Sequence, residues 1–315
     1  SLAKPSSVDR ELERANRTKC RHVFWGTADY PERLATIHAP PPVILVRGDV
    51  GLLGRGPLAI VGARKASAAG KTLARRFAEA FGEAGRAVVS GLARGVDGAA
   101  HEASLDTGTV AVVAGGVDRP TPEEHVALAD EIVDRGGAVV SEMPLGLVPL
   151  ARDYPRRNRL IAGLCDAVVV VEAAARSGSL HTARYAADEN REVFALPGSP
   201  LDPRAAGCLE LIRSGAQMAV TANDVLSALP GWSEAAPRLP GFAEDAPPPL
   251  AMADEDAVSC VAEQLSLAGV SVDALVRETG LRPSDVLAAL VELELDGRAE
   301  RDVDGSVRRG QNLPS

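Results

Sequence analysis

From Pro57 onward, short apolar runs alternate with amphipathic stretches. LAIVG (58–62), AVVSG (87–91), TVAVVAGG (109–116), AVVSE (138–142), DAVVVVEA (166–173), FALPG (194–198) and AQMAV (216–220) are each too short to cross a membrane. Most are rich in β-branched Val, as strands buried on both faces are. Between them lie helical patterns. Ser67 is expected to cap a helix running to about Phe81, with Leu73, Phe77 and Phe81 recurring every fourth residue. Asp97 is expected to cap another through Leu105, and further helices are predicted over 122–135, after Ser179, and over 205–213. Strand and helix alternate at spacings that suit βαβ units, so the fold class is α/β with a doubly wound parallel sheet.

The flanks read differently. Residues 1–21 show no strong apolar period and are taken as an N-terminal stub or remnant, and VILV (43–46) predicts a strand extending one edge of the sheet. After Leu229 six prolines between Pro230 and Pro249 mark a linker over 231–252. Beyond it, helical patterns near 255–267, 272–279 and 283–296 precede two short strands joined through Asp304 and Gly305. Three helices and a hairpin predict a small winged-helix domain over 253–315, separate from the α/β domain at 22–230.

Composition narrows the class. The chain has 315 residues, only 3% of them aromatic, and no apolar run of membrane-spanning length or basic-then-apolar leader, so a cytoplasmic protein without membrane contact is expected. Cys20, Cys165, Cys208 and Cys260 are far apart and include no CxxC pair, which points to free thiols and no metal site. Net charge is −9, which alone would argue against a nucleic-acid partner. Its distribution removes that objection. Lys and Arg exceed Asp and Glu by 2 in residues 1–50 and fall short by 2 in 51–230 and by 9 in 231–315. The acid is concentrated in the tail, leaving the middle able to carry a local basic site.

Ligands of open α/β sheets bind beyond the carboxyl ends of the strands, where helix N-termini attract anions. Gly62, Arg64 and Lys65 leave the first parallel strand there. GARKAS is not GxGxxG, the second strand ends on Ser90 with no acid, and no Walker A sequence occurs, so no cofactor is expected. Arg64 and Lys65 are candidates for a backbone phosphate, with an ordinary charged loop as the plain alternative. Ser90, Gly91 and Arg94 stand at the next strand end, and glycines 91 and 95 admit close backbone approach. His101 has no nucleophile or second ligand near it in sequence and reads as a packed histidine.

Arg156, Arg157, Asn158 and Arg159, with Tyr154 beside them, form the densest cationic element. Guanidinium forks grip phosphates and an aromatic ring stacks a base. One of these arginines is expected to pair with Asp153 or Asp166 instead. Ser177, Gly178 and Ser179 make a small-residue turn at a helix start, suited either to an anion or to a plain βα connection. Glu142 and Glu172 end strands with nothing to aim them at a common bond, so no catalytic residue is assigned.

In this order and spacing, GARKASAAG, SGLARGVDGAAHEASL, GTVAVVAGGVD, GGAVVSEMPLG, YPRRNRLIAGL, VVVVEAAARSGSLHTARYA and VFALPGSP resemble DNA-processing protein A (DprA, also called Smf) across residues 22–230. VDALVRETGLRPSDVLAALVELELDG resembles that family's C-terminal winged helix. The resemblance implies an extended Rossmann fold, a homodimer, binding and protection of single-stranded DNA, and loading of the RecA recombinase during natural transformation, with no enzymatic activity. Duplex DNA is a further candidate ligand. The family's glycine-arginine turn falls on Gly62, Ala63 and Arg64, its second turn on Ser90, Gly91 and Arg94, its RNR on Arg157, Asn158 and Arg159, and its SGS turn on Ser177, Gly178 and Ser179. Where the family has Tyr-Pro, this chain has Thr121 and Pro122, leaving Tyr154 as the aromatic before a proline.

Two rival readings remain. Phosphoribohydrolases related to the LOG proteins share this kind of sheet, but their PGGxGTxxE turn carries a glutamate, whereas here Ala183, Arg184 and Tyr185 follow Thr182. A sequence-specific winged-helix regulator needs a basic recognition helix, and residues 283–296 carry Asp285, Glu292, Glu294 and Asp296. The tail domain is therefore expected to add little DNA binding and to serve as a partner module. Leu209–Val220 (LELIRSGAQMAV) is the expected apolar edge for the homodimer.

Overall fold

The computed structural model describes residues 5–229, 255–265, 269–302 and 306–310, in two units spanning 1–234 and 235–315. The predicted linker over 231–252 and the Asp304–Gly305 turn lie outside the described residues.

In the first unit, β1 (Cys20–Phe24), β2 (Val43–Gly48), β3 (Leu58–Val61), β4 (Val88–Ser90), β5 (Thr109–Val112), β6 (Ala138–Ser141), β7 (Ala167–Val170), β8 (Glu192–Ala195) and β9 (Gln217–Met218) form one sheet ordered 1-2-6-5-4-3-7-8-9. Strands β3 to β9 are parallel, and β2 and β1 extend the β6 edge antiparallel. The chain moves outward one way through β4, β5 and β6, then returns and moves the other way through β7, β8 and β9. Strand order thus reverses between β3 and β7, where a doubly wound sheet opens a crevice.

The helices are α1 (Pro5–Arg17), α2 (Glu32–Ala35), α3 (Ala68–Glu83), α4 (Val96–Ala103), α5 (Val126–Asp134), α6 (Asp153–Leu164), α7 (Ser179–Asp188), α8 (Ala206–Arg213) and α9 (Ala222–Leu226). One face of the sheet packs Val168 and Val170 against Leu160, Ile161 and Leu164 of α6 and Ala183 and Ala186 of α7. The other packs Leu58, Ile60 and Val169 against Phe77 and Phe81 of α3 and Ala99 and Ala100 of α4. With helices on both sides, β3 and β5 to β7 are buried residue by residue, which is why they read as continuous Val-rich runs.

Three local expectations change. Ser67 does cap α3, accepting from the Gly70 amide at 2.9 Å, but Asp97 is no N-cap. α4 begins at Val96 after Gly95, and Asp97 turns its carboxylate back onto the amides of Gly91 and Ala93. Gly95 has φ +81°, and a Cβ there would lie 2.3 Å from the Ala63 carbonyl oxygen, so only glycine lets the two strand-end loops approach. Residues 153–164, read only as a basic cluster before a strand, form α6. Its first half buries Arg157 and Asn158 where a helix pattern would place apolar residues, which hides the period.

The N-terminal residues, expected as a stub or remnant, include a helix that contacts the rest of the unit. α1 docks through polar contacts: Glu11 accepts from the Leu145 amide at 2.9 Å, and Arg14 donates to Asp118 at 2.8 Å and to the Leu145 carbonyl at 3.2 Å. Val8 and Leu12 face solvent and, among the described residues of the helix, Ala15 alone is buried against the core, so the helix carries too small an apolar face to announce itself.

The second unit contains α10 (Glu255–Gln264), α11 (Val272–Thr279), α12 (Pro283–Leu295) and an antiparallel pair, β10 (Ala299–Arg301) and β11 (Val307–Arg309). Val258, Val261, Leu275, Val286, Leu290, Leu293 and Val307 form its core, completing a winged helix.

Candidate functional site

The loops leaving β3 and β7, together with the start of α6, enclose a cavity of about 710 Å³. Arg64, Lys65, Tyr154, Asn158, Arg176 and the Ser177–Ser179 turn line it. A second cavity of about 350 Å³ shares Arg64, Lys65, Tyr154 and Arg157 and adds Gly91, Arg94 and Thr121. The strand-end motifs therefore meet at the switch point although they are spread over more than a hundred residues of chain.

Two helices begin at this crevice, and they offer an anion different things. In the first turn of α3 the Gly70 amide is capped by Ser67, whose own amide donates to Glu172 at 2.9 Å and whose hydroxyl also bonds that carboxylate. α7 starts after Gly178, an N-cap residue with no side chain to offer, and the flanking Ser177 and Ser179 hydroxyls bond each other at 2.8 Å. The Leu180 and His181 amides already donate to the Ser177 and Gly178 carbonyls at 3.2 Å, which leaves the Gly178 and Ser179 amides, with the positive end of the helix dipole behind them, to face the crevice. Arg64, Lys65 and Arg176 stand exposed around this end, and among the described residues none of the three is in an ion pair. Such a site can hold phosphate oxygens through backbone amides with cations beside them.

Tyr154 is half-buried. The Arg64 guanidinium lies 5.5 Å from its ring centroid, and its hydroxyl is 3.2 Å from Thr121 Oγ1. One ring face is thus already covered by a cation.

Several candidates are structural, which corrects the expectation that they grip phosphate directly. Arg157 is buried and donates to the carbonyl oxygens of Gly91, at 2.6 Å, and of Val112. Gly91 makes room for it: a Cβ there would lie 2.4 Å from Arg157 Nη1. The Ser90 hydroxyl donates to the Ile60 carbonyl at 2.6 Å. Ser90, Gly91 and Arg157 thus form a floor that fastens α6 to the ends of β4 and β5. Burial pulls the Arg157 pKa down to about 10, against the pull of Asp97, so the guanidinium stays charged at neutral pH. Burial pushes Asp97 up, opposed by Arg157 and by the amides of Ala93 and Gly91.

Arg156 and Arg159 both pair with Glu142, and Arg159 also donates to the Ala39 carbonyl at 2.7 Å. None of the cluster pairs with Asp153 or Asp166 as expected. Asp153 accepts from the Leu150 amide and Asp166 holds Arg33 and Arg86. Consecutive residues on α6 point about 100° apart, so the four cannot face one ligand. Asn158 stays at the site by donating to the Gly178 carbonyl at 3.2 Å, which steadies the turn. Arg94 is exposed at the rim and pairs with Glu124. Arg176 went unread in the sequence, although a lone arginine immediately before SGS is visible by the same strand-end rule that selected Arg64.

The family model for DNA recombination-mediator protein A matches residues 21–230, and that for the DprA winged helix domain matches 244–305. Protein Smf of Escherichia coli is 37% identical over 284 residues, covering 89% of this chain and 75% of Smf. The structure of DNA processing protein A from Streptococcus pneumoniae superposes with a TM-score of 0.66 at 36% identity, covering 72% of this chain and 78% of that one. The Helicobacter pylori protein, solved for its single-stranded DNA binding mode, gives 0.59 at 26% identity over 65% and 94%. With two thirds of its length matched by one family model and its tail by the companion winged-helix model, this chain belongs to the DNA recombination-mediator protein A family.

Proposed function

We propose that the chain binds single-stranded DNA through its phosphates at the β3–β7 switch point. It acts in the cytoplasm as a homodimeric, non-enzymatic recombination mediator that protects the strand and passes it to RecA. The observation that carries this reading is the uncapped α7 N-terminus faced by three cations, Arg64, Lys65 and Arg176, that no carboxylate engages among the described residues. A site of amides and exposed cations holds phosphate without reading bases, which suits a mediator that accepts any strand. The single-strand binding of the Helicobacter pylori relative supports the same ligand. Hydrolysis is disfavoured because the carboxylates nearest the cavity are engaged. Glu172 is held by Ser67, and Asp97 is buried against the Gly91 and Ala93 amides. Among the described residues no helix is long and apolar enough to cross a membrane.

The test is a titration of single strands and duplexes at several salt concentrations, with a nucleotide-hydrolysis assay alongside. In the triple variant R64A/K65A/R176A the log-log salt slope should fall by about 0.7 for each phosphate that the protein no longer neutralises, alike for all sequences. An unchanged slope and affinity would overturn the assignment. RecA nucleation on the bound strand, followed by fluorescence with and without this protein, tests the mediator step.

A further inference from the structure

α12, the third helix of the winged-helix unit, buries Val286, Ala289, Leu290 and Leu293. Its opposite face carries Leu287, Val291 and Leu295, which are 45%, 47% and 83% exposed. Spacings of four residues put these three side chains on one stripe along about 12 Å of helix. An exposed row of three large aliphatic side chains has no role in the fold of its own unit, whose core is complete without it. It is also the face that a winged helix would turn toward a DNA groove, and here it offers no base-reading side chain.

The charges around the stripe say what it fits. Glu294 lies on one side, and Glu292 and Asp296 on the other. Asp285 is held by Arg282, and Glu294 by Arg301. Glu292 and Asp296 make no ion pair among the described residues. Of the wing arginines, Arg301 and Arg308 are engaged by Glu294, Glu300 and Asp302, which leaves Arg298 and Arg309 outside an ion pair among the described residues, too few to outweigh the acid of this segment. Residues 231–315 contain seven basic and sixteen acidic side chains. A nucleic acid would be repelled, and a second copy would set these carboxylates against its own. We propose that the outer face of α12 is a docking surface for another protein's amphipathic helix, one with an aliphatic stripe flanked by Lys or Arg. The stripe supplies the apolar area and the carboxylate rim sets orientation and selects the basic partner.

The full chain is titrated by fluorescence anisotropy with a synthetic 18-residue helical peptide carrying Leu along one face and Lys on both flanks. A second peptide has Glu in place of every Lys. The Lys peptide should bind, tenfold or more weakly to Val291→Asp and several-fold more weakly to Glu292→Lys, and its affinity should fall with salt. The Glu peptide should bind at least tenfold more weakly than the Lys peptide. Leu287→Gln, which keeps helix propensity, repeats the test should Val291→Asp lose helical signal by circular dichroism. Equal binding of both peptides, or Lys-peptide binding indifferent to the α12 variants, overturns the proposal. So does a drop in sedimentation mass on Val291→Asp, which would assign the face to a second copy.

Discussion

His101 sits fully buried on α4, its Nδ1 2.7 Å from Thr109 Oγ1. The Thr109 hydroxyl donates to the Val88 carbonyl, so the imidazole must donate from Nδ1, leaving Nε2 bare and without a partner. Burial, with His125 and Arg157 as further causes, pulls its pKa from 6.5 to about 3. The unfolded chain therefore takes up a proton below about pH 6.5 that the folded chain refuses until about pH 3. Stability attributable to this residue is complete above that window and falls as pH drops through it, by up to about 1.4 kcal/mol per pH unit. Asp97 works in the opposite direction above 3.8, since its raised pKa makes the folded chain hold a proton the unfolded one has released. The informative comparison is therefore between two chains that share Asp97. Urea unfolding at stepped pH should show a shallower acid decline in His101→Phe than in the wild type; equal slopes would mean His101 is charged in the fold.

At the scale of the element, α6 shows how one helix separates fastening from binding. Arg157 ties it to the ends of β4 and β5, Arg156 and Arg159 tie it to Glu142 at the end of β6, and Asn158 steadies the turn proposed to receive the ligand. Arg157→Met would leave two carbonyl oxygens unpaired and Asp97 without its buried counter-charge. A loss of a few kcal/mol is expected on denaturant unfolding, since each buried acceptor left unpaired costs about 1–3 kcal/mol. Arg64→Ala should change stability by less than about 0.5 kcal/mol, because the side chain is exposed and in no ion pair among the described residues. An Arg157→Met protein as stable as the wild type, yet with a lower salt slope for DNA, would return Arg157 to the phosphate site.

Across the whole molecule, the charge asymmetry and the sheet edge bear on assembly. β9 ends the sheet with Gln217 and Met218 exposed, and Val220 follows it into solvent. Beside it runs a groove of about 890 Å³ in which Leu180, Val193 and Leu211 lie among Arg184, Arg191, Glu192 and Glu210. A bare parallel edge with exposed Met218 and Val220 is a surface that a folded protein tends to cover, and the proposed homodimer would cover it. A chain ending at Leu229 should sediment as a dimer at micromolar concentration. Its single-strand affinity should stay within a few fold of the full chain, or rise slightly at low salt once the sixteen carboxylates of 231–315 are gone. A monomer would move the interface elsewhere, and failure of a folded dimer to bind DNA would make the wing arginines part of the primary DNA surface.

Strand positions, the winged-helix pattern, the acidic tail and the strand-end placement of Arg64, Lys65 and the SGS turn were all legible in the chain. Each rests on local signals: Val runs, turn residues and spacing within a few dozen positions. The fate of the arginine cluster was not legible, since Arg157 meets Gly91 and Val112 across 66 and 45 residues and Arg159 meets Glu142 across 17. The docking of α1 was hidden for the same reason, because Arg14 reaches Asp118 across 104 residues with too small an apolar face to announce it. A charged side chain looks the same in sequence whether it awaits a phosphate or holds a carbonyl. Which it does depends on what the folded sheet brings within about 3 Å of it, and here that geometry left Arg64, Lys65 and Arg176 exposed and outside any ion pair among the described residues and set Arg157 against two carbonyls of the scaffold.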